Sequence, residues 1–149
     1  MTRSAVLAAV LLLALTSAAY SQSSYRSILE SQLTAVGNTV AQNGYRPDSR
    51  AFKTDMIVGI LPAGDGVGLE IDLEFGVDYV IVGVCDEDCS DLDLTLSDIA
   101  GNELFTDELD DDAPILTFTA PAGGAHILWI TMYACSVDPC SFGYKVYRR

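Results

Sequence analysis

Basic residues are missing from the body of this chain. Eight Lys and Arg stand against 21 Asp and Glu, a formal net charge of −13, and none of the eight lies between Lys53 and Lys145, a stretch that holds 19 of the 21 acids. So acidic a body repels phosphate backbones and anionic headgroups, which excludes nucleic acid and membrane surfaces as partners and favours cations or basic surfaces. The bland alternative is an acidity that serves solubility alone. Histidine is nearly absent as well: His126, inside the run HILWI, is the single one. A lone histidine in a strand-like run reads as a packing or edge residue, so nucleophilic chemistry lacks a base. There is also no G-x-S-x-G elbow, no H-E-x-x-H helix and no Walker loop. The expected class is therefore non-enzymatic.

Long apolar runs are equally scarce. The one present, AVLAAVLLLAL from Ala5 to Leu15, has eleven residues, too few to span a bilayer, so no membrane insertion is expected. Preceded by Arg3 and followed by TSAAYSQSS, it has the layout of a secretory signal peptide, residues 1–21, with cleavage after Ala19 or Ser21. The expectation is a secreted or periplasmic protein. The mature chain of about 130 residues makes one domain, large enough to bury its own core.

Four cysteines fall as two close pairs, Cys85 with Cys89 and Cys135 with Cys140. In an exported chain this spacing reads as disulfides. Three pairings exist; the local one is preferred because each pair brackets the turn after a strand. On the chain-entropy model each short loop contributes about 2 kcal/mol, a cross-pairing more. A four-thiolate zinc site is the alternative, disfavoured because the cysteines of each pair are separated by three and four residues, where zinc ribbons commonly use two.

The first periodic segment is helical. Tyr25, Ile28, Leu29, Leu33, Val36 and Val40 recur at three and four residues, Ser24 is an N-cap candidate, and Asn43-Gly44 is a stop. Its polar face is not basic, so it is expected to pack on the following domain rather than on a membrane. GYRPDSR then forms a connector carrying Arg46 and Arg50, with Lys53 just beyond, so residues 22–50 read as helix and connector and 51–149 as the main domain.

From there the period is two. GLEIDLEF, Gly68 to Phe75, alternates Leu69, Ile71, Leu73 and Phe75 with acids, the pattern of a half-buried strand. Further strands are expected at Met56–Leu61, Tyr79–Val84, Leu92–Ser97, Glu103–Asp107, Ile115–Thr119, His126–Ala134 and Phe142–Tyr147, separated by turns such as PAGDG, DIAGN and PAGGA. About eight short strands behind a single helix define an all-β fold, an antiparallel β-sandwich.

The runs GVDYVIVGV, DLDLTLSDIAGNELF and DDDAPILTFTAPAGGAHILWI, taken in that order, resemble the bacterial pre-peptidase C-terminal domain over about Thr54 to Tyr147. The resemblance implies a jelly-roll-like sandwich, usually attached to secreted peptidases, in some members binding calcium or an extracellular polymer such as collagen. This chain departs from the pattern: a helix rather than a peptidase precedes the domain, and two cysteine loops are added. A role as an accessory or inhibitory module for an exported peptidase follows from the resemblance alone. A structural or surface-associated protein is the plainer alternative.

CDEDCSDLDLTLSD, Cys85 to Asp98, packs six acids into fourteen positions. Strand alternation puts Asp91 and Asp93 on one face, about 7 Å apart. A three-residue loop, Ile99-Ala100-Gly101, sets Asp93 opposite Asp107; a loop one residue longer sets it opposite Glu108 and Asp91 opposite Asp110. Acid faces acid in both registers, and directly opposed like charges cost stability. Calcium would offset that cost, taking six to eight oxygens, and the candidate ligands are Asp91, Asp93, Asp107, Asp110 and Asp112. A splayed, solvated edge that discourages strand pairing is the competing reading. No EF-hand spacing is present.

Trp129, Tyr79, Tyr133, Tyr144 and Tyr147 allow an aromatic strip that stacks on sugar or polymer, although strand aromatics more commonly build cores. Trp129 and Tyr133 share parity in one strand, so the exposure of both discriminates a ligand face from a core. An extracellular polymer or protein is the partner this reading expects.

Overall fold

The computed structural model describes residues 25–48, 50 and 56–149. The expected signal peptide, the Ser24 cap and Lys53 lie outside the described residues. One helix, α1 (25–42), is followed by nine strands. They are β1 (Arg46–Pro47), β2 (Ile57–Leu61), β3 (Gly66–Leu73), β4 (Asp78–Cys85), β5 (Cys89–Asp98), β6 (Glu103–Asp107), β7 (Ile115–Thr119), β8 (Gly124–Cys135) and β9 (Cys140–Arg148). The eight strands expected from alternation are all present, two with the expected bounds and the others differing by one to three residues at an end.

Two antiparallel sheets face each other. One runs β1-β9-β4-β7, with β2 also on β9; the other runs β3-β8-β5-β6. Between them, alternate residues of six strands interdigitate: Ile71 and Leu73 of β3, Tyr79 and Ile81 of β4, Leu92, Leu94 and Leu96 of β5, Leu116 and Phe118 of β7, Leu128, Ile130 and Met132 of β8, Phe142, Tyr144 and Val146 of β9. The period of two that identified the strands is the same one that fills this core.

Helix α1 makes a third layer. In β4 the sequence VIVGV has no polar alternation because both faces are covered: Tyr79 and Ile81 face the sandwich, while Val80, Val82 and Val84 join Leu29, Leu33, Tyr45 and Tyr147 in a second apolar cluster under the helix. The helix approaches closely because glycines leave room. A Cβ at Gly37 would run into the buried Tyr147 ring, and one at Gly143 would touch Leu29 and Leu33. Full burial of Leu29 and Leu33 contributes about 1.5–3 kcal/mol each.

Both disulfides are local, Cys85–Cys89 and Cys135–Cys140, in agreement with the preferred pairing. They lie side by side, since Cys89 and Cys135 are register partners across β5 and β8. Asp86 ties the two loops together: its Oδ2 accepts the Ser141 N–H at 2.6 Å, and its own N–H donates to the Ser141 carbonyl at 3.0 Å. At the opposite end of the sandwich the arginines are neutralised in place. Arg148 forks onto Glu74 at 3.1 and 2.8 Å, and Arg149 reaches Asp78 at 2.9 Å. This fixes the connector and the last strand to the same end and leaves the cysteine end acidic.

Two expectations are corrected. Phe75 does not continue the inward row of β3; that strand ends at Leu73, and Phe75 sits in the following turn, 75% exposed. Tyr79, Tyr144 and Tyr147 belong to no surface strip, because all three are core residues. Strand parity puts them with Ile81, Phe142 and the helix contact.

Candidate binding face and acidic corner

The outer surface of the β3-β8-β5-β6 sheet is the one broad sheet face that the helix leaves open. On β8 the odd-numbered residues point outward, and the two aromatics among them are both exposed, Trp129 by 46% and Tyr133 by 67%. Their exposure places both outside the core. Trp129 has Gly68 of β3 on one side and Thr95 of β5 on the other. The benzo edge of its indole lies across Gly68, where a Cβ would come within 3.1 Å of two ring carbons. Gly66 leaves a similar opening beside Thr131. Sequence reasoning found the aromatics but passed over these glycines, although two glycines at alternate positions of an otherwise regular strand signal a close approach.

The remainder of the face is hydroxyl and carboxylate. Thr95 and Thr106 are joined through their hydroxyls at 3.0 Å across β5 and β6. Glu70 and Asp72 stand exposed on β3, and Asp93 lies opposite Thr131. Of the eight Lys and Arg in the chain, none belongs to these four strands.

Toward the cysteine end this face turns into an acidic corner. The three-residue loop Ile99-Ala100-Gly101 forms as expected, with Gly101 at φ 86°, its N–H on the Asp98 carbonyl and the Asp98 N–H on the Asn102 carbonyl. Asp98 is consumed by this turn. Its carboxylate accepts from the Asn102 side chain at 2.7 Å and from the Ala100 and Asn102 N–H groups, which hold its pKa below the usual carboxylate range. The register then slips. Ser97 pairs with Glu103, but Leu96 pairs with Phe105, so Leu104 is an extra residue. This bulge shifts β6 by one position and places Asp107 opposite Leu94, not opposite Asp93. Continued by one residue, the register brings Glu108 beside Asp93, the arrangement a longer loop would have produced.

The shift separates the five candidate ligands by role. Asp107 is a backbone staple: its Oδ2 accepts the Ile115 N–H at 2.8 Å and its Oδ1 the Leu109 N–H at 3.4 Å, closing the 108–114 loop. Asp91 lies where the β5 ladder is irregular. It is only 9% exposed, and its Oδ1 has no hydrogen-bond partner; burial, then Asp110 and Asp111, raise its pKa. Asp93 is pushed up to about 6 by burial first, then by Asp91, Glu108, Asp107 and Asp111. Asp110 is exposed, and Asp112 is not among the charges acting on either strand carboxylate. Glu108 arrives beside Asp93 as the longer-loop register had it, but neither it nor Asp111 stood among the five candidate ligands, because the bulge that selects this register has no local signature. Among the described residues no three carboxylate, thiol or imidazole groups are gathered closely enough to hold a metal ion as they stand. His126 is buried, its Nδ1 2.9 Å from the Gly124 carbonyl, in the packing role its surroundings predicted.

No protein-family model matches the chain, and no curated protein matches it. Solved structures do. The pre-peptidase C-terminal domain of a collagenase from Bacillus anthracis aligns with TM-score 0.50 and 15% identity, covering 61% of this chain and 86% of that domain. PliG of Aeromonas hydrophila, a periplasmic inhibitor of g-type lysozyme, aligns with TM-score 0.46 and 11% identity over 63% and 84%. A fucose-binding module of Streptococcus pneumoniae gives 0.39 and 19% over 62% and 70%. At these identities the likeness to the collagenase domain shows a common fold, in agreement with the resemblance read from the sequence, and nothing finer.

Proposed function

We propose that this is an exported, non-enzymatic binding or accessory module whose working surface is the outer face of the β3-β8-β5-β6 sheet, with Trp129 and Tyr133 as its anchors. One observation carries the reading: two large aromatics, four residues apart on β8 and therefore about 13 Å apart along the strand, are exposed on an open sheet face rather than packed. Aromatics presented in this way bring a large apolar area at low conformational cost and anchor ligands. The two disulfides and the fold shared with an extracellular enzyme's domain support an exported location. The ligand is an extracellular polymer or protein, and the uniform negative charge of the face selects against polyanions.

Trp129 is the single tryptophan of the chain, so its emission reports on this face alone. Titrating the oxidised protein with soluble neutral polysaccharides, basic and acidic polypeptides should give a saturable emission change with at least one of them. Tyr133→Ala should weaken that response. Emission indifferent to every probe, while the protein still binds one of them by calorimetry, sinks the assignment of this face.

Calcium at the acidic corner is a separate proposal. It is supported by the unpartnered Asp91 Oδ1 and by the mutual repulsion of Asp91, Asp93 and Glu108. As arranged, these groups do not complete a calcium shell, so an ion would have to draw Glu108 and Asp110 toward the strand carboxylates. A melt with millimolar calcium against sodium chloride of equal ionic strength decides: saturation at about 100 times Kd adds roughly 2.7 kcal/mol, and no gain over salt removes the ion from the account.

A further inference from the structure

We propose that the free edge of β3 is a docking edge for an extended polypeptide segment that alternates basic and apolar residues, added as a fifth strand beside Trp129. This rests on the outer face being the binding surface and names the partner it fits.

The edge is open and unusually bare. β3 pairs with β8 alone, at the end of its sheet, and among the described residues nothing pairs with its other side. The Met132 N–H donates to the Asp65 carbonyl at 2.9 Å, so by antiparallel alternation Val67, Leu69, Ile71 and Leu73 turn their backbone groups toward β8. Gly66, Gly68, Glu70 and Asp72 therefore direct their N–H and C=O groups outward. Natural edges are commonly blunted by bulges, proline or lysine. Here the first half of the edge carries two exposed glycines, so no side chain screens the backbone from an incoming strand.

Both faces of the edge then define what the strand must carry. On the outward face, Glu70 and Asp72 stand exposed, and the Trp129 indole reaches across Gly68 toward the edge. Cross-strand neighbours lie about 4.5–5.5 Å apart, within cation–π range of that ring, so Lys or Arg at alternate positions meets two carboxylates and an aromatic face. On the inward face the core is incomplete at this edge. Ile71 and Leu73 are buried, but Val67 and Leu69, one turn of the pleat earlier, are only half-buried. Apolar residues at the intervening positions would cover them. A second copy of this chain fits poorly, because antiparallel pairing of two such edges gathers Glu70 and Asp72 of both copies along one strip with no cation among them.

The test uses the full mature protein and a synthetic peptide matching the eight residues of β3, alternating lysine with threonine and valine. One analogue carries glutamate for lysine; another keeps every side chain but is N-methylated at each backbone nitrogen, retaining charge and losing strand hydrogen bonds. The expected result is a saturable change in Trp129 emission with the lysine peptide. It is accompanied by slowed amide exchange at Gly66, Gly68, Glu70 and Asp72, with no change at Val67, Leu69 and Ile71, which are already bonded. Glu70→Lys with Asp72→Lys, both exposed positions, should weaken binding by roughly tenfold or more. Equal binding of the N-methylated analogue, or no selective exchange protection, overturns the edge. A response to neutral polysaccharide but not to the lysine peptide also overturns it while leaving the face intact; no response to any probe removes both.

Discussion

Replacing Asp93 with asparagine should stabilise this protein at neutral pH and do nothing at pH 4. The carboxylate is held among Asp91, Glu108, Asp107 and Asp111 in a partly desolvated position, and its folded pKa is raised from 3.8 to about 6. A carboxyl raised on folding binds its proton more tightly in the native state. Between about pH 4 and 6 the native protein therefore holds more protons than the unfolded chain, and stability falls as pH rises through that window. Above it the penalty is complete. Taken at face value the rise corresponds to about 3 kcal/mol, but water reaches this group, so solvent screening reduces the effect to about 1 kcal/mol. For a domain of this size that is roughly 3–5 °C in Tm. The assay is a set of melts of wild type and Asp93→Asn at pH 4, 5.5 and 7.5 in chelator, where the two should coincide at pH 4 and diverge upward. Equal melting at all three pH values, or a variant that is less stable at pH 7.5, would refute the electrostatic reasoning. With calcium in place of chelator the sign of the difference is itself informative: a bound ion needs the charged carboxylate, so Asp93→Asn would then be the weaker protein.

The other predictions concern the parts that hold the face in position. Leu33→Ala, under the helix, should cost about 2–5 kcal/mol by denaturant unfolding, and a cost below 1 kcal/mol would mean that α1 is not an integral layer. Asp86→Ala leaves the buried Ser141 N–H without its acceptor and should cost about 1–3 kcal/mol, visible as a lower urea midpoint at unchanged m-value. Cys85→Ser with Cys89→Ser should lose about 2 kcal/mol, and a loss nearer 5 would show that this bridge does more than close a short loop.

Much of this architecture was legible because a period of two is a direct image of the pleat. Where leucine, isoleucine or phenylalanine alternated with acids or threonines, as in Leu92–Ser97 and Ile115–Thr119, the strand and its inward face followed together, with Phe75 as the exception where the strand stopped short. The parts that were not legible depend on neighbours distant in sequence. Strand β1 is the dipeptide Arg46–Pro47, which has no propensity of its own and exists because Tyr147 and Arg148 offer it a ladder. The extra Leu104 in β6 moved Asp107 from beside Asp93 to beside Leu94, and nothing in ELFTD announces a bulge. Asp107 became a staple for the 108–114 loop in consequence, while Glu108 took its expected place. Asp86, inside the turn that the first cysteine pair brackets, proved to be a buried strut because Ser141, next to Cys140, pairs with it. The tyrosines failed as a strip for the opposite reason: Tyr79 shares parity with Ile81 and Tyr144 with Phe142, while Tyr147 has the other parity and lies under the helix, and which faces were covered was fixed only once the layers were stacked.

The placement of the helix explains why one sheet face is left open. A two-sheet sandwich has two outer faces, and in this chain they differ in kind. Behind β4 and β9 the outer residues are Val80, Val82, Val84 and Tyr147, an apolar surface that could not stay exposed without association. Behind β8 and β5 they are threonines, carboxylates and two separated aromatics, which can remain in water while presenting an anchor. Helix α1 resolves the asymmetry by capping the first face with Leu29 and Leu33, at positions where Gly37 and Gly143 allow it to settle closely. The acid-rich second face has no Lys or Arg on its four strands, and its charge disfavours pairing of its edge with copies of itself. The same acidity, which repels phosphate backbones and anionic headgroups, matches the partner proposed for the β3 edge: a chain carrying positive charge, approaching an edge that glycine has left bare.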